Sequence, residues 1–317
     1  MAVTPSPRQW QYVYDNGTER SSVWGAQGEF YLNVWMEIVS AVIALVGLGG
    51  NSAVLWLLGF RIPRNPFSVY ILNLAGADAL FLCCSFLITM YAFLSSIYNT
   101  LTYAVCIYLE DASYNVGLSL LTAISTERCL AVFFPSWYLH RRYKHTSAVV
   151  CAVLWALPGL FWVGDFVLCT QVRVQVYCEA YPSMPITWFI HLTPVFSGSS
   201  LMLLLRVQRS SQRQQPPRLH LLVLLMTLVF LLCGLPKGFQ DGRLGFSSHF
   251  IPYWLPTLLA CLKSSAYPFI YFLLGSRRHR RGKEPLRLVL QRTLADEQEL
   301  EGGRRDSHLS NTRETSF

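Results

Sequence analysis

Charge is what this sequence has least of. Only 14% of its 317 residues are charged, where soluble domains carry about 25%, and 52% are hydrophobic. An ordinary soluble globular domain is excluded. No period repeats between the two halves, which weighs against a transporter built from inverted repeats. There is no nucleophile–base pair, metal-ligand spacing or Gly-rich phosphate loop, so the residues argue for no enzyme, cofactor or metal. Residues 1–32 lack the apolar core of a cleaved signal peptide, so the first apolar run is expected to act as the targeting signal. No cysteine follows Cys261, which excludes a palmitoylated C-terminal anchor.

What the chain does have is apolar runs of about 20 residues or more, long enough to span a bilayer. They fall at Val34–Phe60, Phe67–Tyr91, Leu101–Phe134, Ser147–Leu168, Pro185–Val207, Leu219–Gln240 and Ile251–Leu274. Short connections make them one bundle. Arg61 and Arg64 follow span one, Arg141, Arg142 and Lys144 follow span three, and Arg209, Arg213 and Arg218 precede span six. Arg277, Arg278, Arg280, Arg281 and Lys283 follow span seven, whereas the opposite loops offer little beyond Arg173 and Arg243. The positive-inside rule therefore puts the N-terminus outside and the C-terminus inside. The reading is an all-α membrane protein, a seven-transmembrane helix bundle (34–274) with a short amphipathic eighth helix (275–294). An extracellular tail (1–33) precedes the bundle and a disordered cytoplasmic tail (295–317) ends the chain.

Leu286, Val289, Leu290 and Leu294 have the spacing of an amphipathic helix, and the arginines before them suit anionic inner-leaflet lipid better than nucleic acid. On the outer side, Asn16-Gly17-Thr18 is a glycosylation sequon. Of nine cysteines, seven lie within spans and read as small packing residues. Cys169 and Cys178 lie in the oxidising compartment at a separation that permits a disulfide, the alternative being two free thiols.

Glu127-Arg128 closes span three and runs directly into Cys129. A charge at the bilayer centre costs about 2.5–3.5 kcal/mol on insertion scales, so intramembrane charges face a bundle interior or water. At the cytoplasmic mouth such a pair reads as a switch whose ionic partners change. The plainer alternative is two snorkelling interface residues.

From Val34 to Leu294 the chain resembles the rhodopsin-like G-protein-coupled receptors, and within them the Mas-related family. The resemblance rests on Gly50-Asn51-Ser52-Ala53-Val54-Leu55-Trp56-Leu57-Leu58-Gly59-Phe60-Arg61, Arg64-Asn65-Pro66-Phe67-Ser68-Val69-Tyr70 and Leu74-Ala75-Gly76-Ala77-Asp78. It continues through the run Gly117–Cys129, Leu231-Leu232-Cys233-Gly234-Leu235-Pro236 and Ser264-Ser265-Ala266-Tyr267-Pro268-Phe269-Ile270-Tyr271-Phe272. It implies a receptor that exchanges nucleotide on a heterotrimeric G protein at the plasma membrane. Asn51, Asp78 and Pro268 then resemble a buried polar hub, and Pro236 the hinge of span six. Arg128 resembles the arginine that receives the G protein, and Tyr271 the tyrosine that swings toward it. Rhodopsin-like receptors usually tie the second outer loop to span three. Here Tyr103 stands where that cysteine would be, and Cys169 and Cys178 resemble the Mas-related link between spans four and five.

Two departures change the physics. The usual Asn-Pro of span seven is Tyr267-Pro268, and Lys263 lies about a turn and a half above Pro268, at the depth of the hub. A buried ammonium needs a counter-charge, and Asp78 is the one acid in span two. The expectation is an ion pair in which Lys263 replaces the sodium ion that many relatives bind there. The alternative is a wet cavity without the pair. The second departure is at the inner end of span six, Gln215-Pro216-Pro217-Arg218, which holds no acid to restrain Arg128. That leaves Glu127 as its main nearby partner, a low barrier to opening, and measurable basal signalling.

Glu110 precedes Arg128 by about five whole helical turns, so the two share an azimuth about 27 Å apart. If Arg128 faces the inner cavity, Glu110 faces the outer one, with Tyr114 one turn below it. Lys237 follows Pro236 directly, with Gln240 and Asp241 one turn higher. Glu110, Asp111, Asp165, Glu179 and Asp241 outnumber Lys237, so the pocket is expected to take a cationic peptide or amine-bearing small molecule. A Glu110–Lys237 salt bridge that merely shapes the cavity is the alternative. Asp165 also resembles the acid that some Mas-related receptors use for cationic peptides. His191 and the Met and aromatic residues read as core packing. Ser307, Ser310, Thr312, Thr315 and Ser316 could be phosphorylated by kinases for arrestin binding. A retinal-based light sensor is the nearest rival, through a Schiff base on Lys263. Visual pigments carry that lysine where this chain has Cys261, which counts against it. A channel or transporter is the remaining alternative.

Overall fold

The computed structural model describes residues 19–63, 65–93, 100–134, 138, 145–165, 184–210, 218–241, 252 and 254–276. Among them there is no β-strand. Span one is the helix Glu19–Trp56 continued by a π-helical turn, Leu57–Arg61. Spans two to five are Pro66–Phe93, Thr100–Phe133, Thr146–Asp165 and Met184–Ser210. Span six is Arg218–Val229, a π turn Phe230–Gly234, and Leu235–Asp241; span seven is Trp254–Ser276. Six of the spans are long and apolar enough to cross a membrane, and span four contributes the shorter apolar helix Thr146–Phe161. The chain is a multi-pass, all-α membrane protein.

The helix limits follow local chemistry. Asn65 caps span two reciprocally with Ser68: the Ser68 amide donates to Asn65 Oδ1 (2.6 Å) and the Asn65 amide to Ser68 Oγ (2.9 Å). Pro66 takes the first helical position, where its missing N–H costs nothing. Span seven begins at Trp254 rather than Ile251, because Pro252 precedes the helix and its carbonyl accepts from Leu255 N–H at 3.1 Å. Span one begins at Glu19, well inside the segment expected to be tail; no proline interrupts it, and Glu19 suits a helix N-terminus.

Span three is the central post, packed on spans two, four, five and six, while span one packs on spans two and seven and closes the ring. The close approach of span one is made by glycine. A Cβ on Gly47 would stand 2.7 Å from Ser265 Cβ and 2.9 Å from Leu82 Cδ1, and one on Gly50 would lie 3.1 Å from Pro268 Cβ. Small residues at such seams let membrane helices touch backbone to side chain. The outer faces are apolar: Trp35 and Val46 on span one, Leu201 on span five and Phe269 on span seven are exposed, as lipid-facing residues are.

His191 is not in the core. It is exposed on span five, in register with exposed Val195, Gly198 and Met202 along the stripe at helical spacing that faces outward. The seven span cysteines are free thiols, buried or partly buried, in keeping with small packing residues. Asn16, Cys169, Cys178, Glu179, the segment 277–294 and the tail with its Ser and Thr residues lie outside the described residues, as do the side chains of Asp165, Gln240 and Asp241.

Candidate functional site

Three polar layers are strung along span three. The outer one joins spans three and six. Lys237 Nζ lies 3.6 Å from Asp111 Oδ1 and 3.9 Å from Glu110 Oε2, with Lys237 and Glu110 both buried. This is the Glu110–Lys237 contact that stood as the alternative to a direct ligand role, and Asp111 shares it. Lys237 is carried there by the turn after Pro236. A proline lacks an N–H and its ring collides with the carbonyl four residues back, so a regular α-helix cannot run through it unchanged. Here the strain is taken up by the π turn Phe230–Gly234, in which Leu235 N–H reaches back five residues to the Phe230 carbonyl. Gly238 lets span five come close at this level, because any Cβ there would strike the Phe189 ring.

One turn below, Tyr114 forms the floor of the outer cluster and the roof of the hub. Its hydroxyl donates to the Gly234 carbonyl at 2.7 Å, the last residue of the π turn. Its ring faces Lys263 Nζ at 5.0 Å, and Phe81 and Tyr267 present theirs at 5.7 and 5.9 Å. Lys263 is 1% exposed and its Nζ is 3.6 Å from Asp78 Oδ1, itself 2% exposed. Asn51 joins span one to span seven: its Nδ2 donates to the carbonyls of Gly47 (2.9 Å) and Ser264 (3.1 Å). Tyr267 and Pro268 are buried in the same layer.

The inner layer contains a feature that sequence reasoning missed. Ser125 and Ser200 hydroxyls lie 2.8 Å apart, Ser199 donates to Ser125 at 2.8 Å, and Ser200 meets Thr227 at 2.8 Å. This buried hydroxyl chain ties spans three, five and six together one turn above Arg128. The available signal was four small polar residues in otherwise apolar spans, the residue types that join membrane helices. Arg128 is itself buried, with its guanidinium over the Phe67 ring at 4.9 Å. Glu127 is half-buried beside it and Tyr271 is buried on span seven. At this level neutral hydroxyls join spans three, five and six, and the inner end of span six, 215–218, carries no acid in the sequence.

The chain is similar to known proteins. Residues 50–271 match the family model of the 7 transmembrane receptor (rhodopsin family). The chain is 41% identical over 282 residues to human Mas-related G-protein coupled receptor member X1, covering 84% of this chain and 85% of that one. The chain belongs to the Mas-related family of rhodopsin-type receptors. Identity to member D of Macaca fascicularis is 44% over 284 residues, covering 82% and 84% of the two chains. Mouse member E is 41% identical over 292 residues, covering 89% and 93%.

Proposed function

We propose that this Mas-related receptor sits in the plasma membrane with its N-terminus outside and takes a cationic amphipathic ligand, a basic peptide or an amine-bearing small molecule. The observation that carries the reading is the outer cluster, where two carboxylates, Glu110 and Asp111, converge on the ammonium of Lys237. An arriving cation is attracted to the acids and repels Lys237. The sequence adds three further acids toward the outer ends of its spans, Asp165, Glu179 and Asp241, and an excess of negative charge there would raise the local concentration of cations. Because Lys237 is bonded to the hinge residue Pro236, a shift of Lys237 acts on the π turn and on its Tyr114 bond. The ligand then favours whichever bundle geometry leaves Lys237 freer, and that preference is the only means by which it can move the equilibrium.

The inner end is read in the same terms. Arg128 leaves the Phe67 ring to receive a heterotrimeric G protein, with Tyr271 turning toward it as the hydroxyl chain opens. A Cys169–Cys178 disulfide, glycan at Asn16, anchorage of 275–294 on anionic lipid, and kinase and arrestin action on the tail complete the proposal.

The test is a panel of short basic amphipathic peptides and alkylamines, each paired with its N-acylated neutral counterpart, read through several second-messenger outputs. Cationic members are expected to signal and their neutral counterparts to be inactive. Signalling without any ligand is expected to exceed that of cells lacking the receptor, since the sequence at the inner end of span six, 215–218, offers no acid to close on Arg128. Equal activity of neutral and cationic partners would refute the ligand class.

A further inference from the structure

Four buried polar atoms around the Asp78–Lys263 pair make no well-aligned hydrogen bond among the described residues: Asp78 Oδ2, Asn51 Oδ1, Ser264 Oγ, which lies against Asp78, and the Tyr267 hydroxyl. Leaving one such atom unmet is costly, and four in one layer mark a place for a polar guest. The orientation of the Asn51 amide follows from its two donated bonds, so its free oxygen is a true acceptor. The set is therefore two obligate acceptors and two hydroxyls able to donate or accept.

All four are oxygens, the ligand type of a small hard cation, and Asp78 brings a full negative charge. Yet that charge is already met by Lys263, whose ammonium lies 3.6 Å away with three aromatic faces turned to it. A second cation would be repelled at close range by that ammonium in a site screened from bulk solvent. Water suits what is left, because it can donate to the two acceptors and accept from the two hydroxyls.

We infer that Lys263 is the hub's own fixed cation, that water fills the remaining positions, and that the native hub binds no sodium. The inference extends to the vacated state. With Lys263 cut back to a neutral side chain, Asp78 stands unopposed among oxygen ligands, and the hub becomes a sodium site. Nothing in this depends on which agonist the receptor takes.

The experiment is thermal unfolding of the purified full-length receptor in lipid discs, in sodium chloride against N-methyl-D-glucamine chloride at equal ionic strength. The parent midpoint is expected to be the same in both salts. Lys263→Met is expected to gain a few degrees in sodium, rising with concentration as a bound ligand requires. Lys263→Gln, closer in length and polarity, serves the same purpose if the methionine variant is not recovered. Sodium-specific stabilisation of the parent overturns the inference, and so does a folded variant indifferent to sodium. The parent measurement decides by itself if neither variant folds.

Discussion

Asp78→Asn is expected to leave a receptor that is poorly folded, and adding Lys263→Met is expected to restore much of it. Breaking a buried ion pair by removing one partner costs about 3–5 kcal/mol, because the other charge is stranded. Asp78 and Lys263 are both almost fully buried, so bulk solvent cannot screen the orphaned ammonium. Removing both charges together is often neutral or stabilising, since two desolvated ions are replaced by groups that need no partner. The measurement is heat stability of the four receptors in sodium-free buffer, set out as a double-mutant cycle. Rescue in the double variant is the expected result. Loss in the double variant equal to the sum of the singles would mean that the two charges do not depend on each other.

Gly47→Val should be almost as damaging, for a steric reason. A Cβ alone at Gly47 falls within 2.7 Å of Ser265 Cβ and 2.9 Å of Leu82 Cδ1. Valine adds two further methyls, and span one has to move off span seven. Overpacking of this kind costs about 1–3 kcal/mol, occasionally more. Separation here also breaks the Ser265 bond to the Ile43 carbonyl (3.1 Å) and strains the Asn51 bond to the Ser264 carbonyl. Gly49→Val is the control, because nothing lies within 4 Å of a Cβ at that position. Surface abundance and unfolding temperature should fall for Gly47→Val and stay near the parent for Gly49→Val. Equal loss in both would point to helix propensity rather than packing.

Much of the bundle was legible because membrane spans announce themselves by length and apolarity, with little competing signal. The Lys263–Asp78 approach was legible for an energetic reason: an ammonium at that depth needs a carboxylate, and span two has one. Glu110 on the azimuth of Arg128 followed from helical pitch alone. The π turns were not legible. Pro236 announces a disturbance, but whether a helix kinks, breaks or takes an extra residue is settled by what packs beside it, here Tyr114 against Gly234. The hydroxyl chain was hidden for a related reason. Thr227 bonds back to its own Val223 carbonyl at 2.8 Å while also meeting Ser200, and only the packing of three spans distinguishes a private bond from a shared one. His191 was misplaced because an isolated histidine gives no facing signal of its own.

The central claim is that a ligand's positive charge is read by the acids that hold Lys237. It is tested most directly by the potency of the best cationic agonist on the parent receptor, Glu110→Gln and Asp111→Asn, each matched for surface abundance. Loss of a charge-assisted contact is expected to cut potency on the order of tenfold or more, about 1.4 kcal/mol per decade. The neutral counterpart's weak response should not change. Potency of the cationic agonist unaltered in both variants would contradict the account.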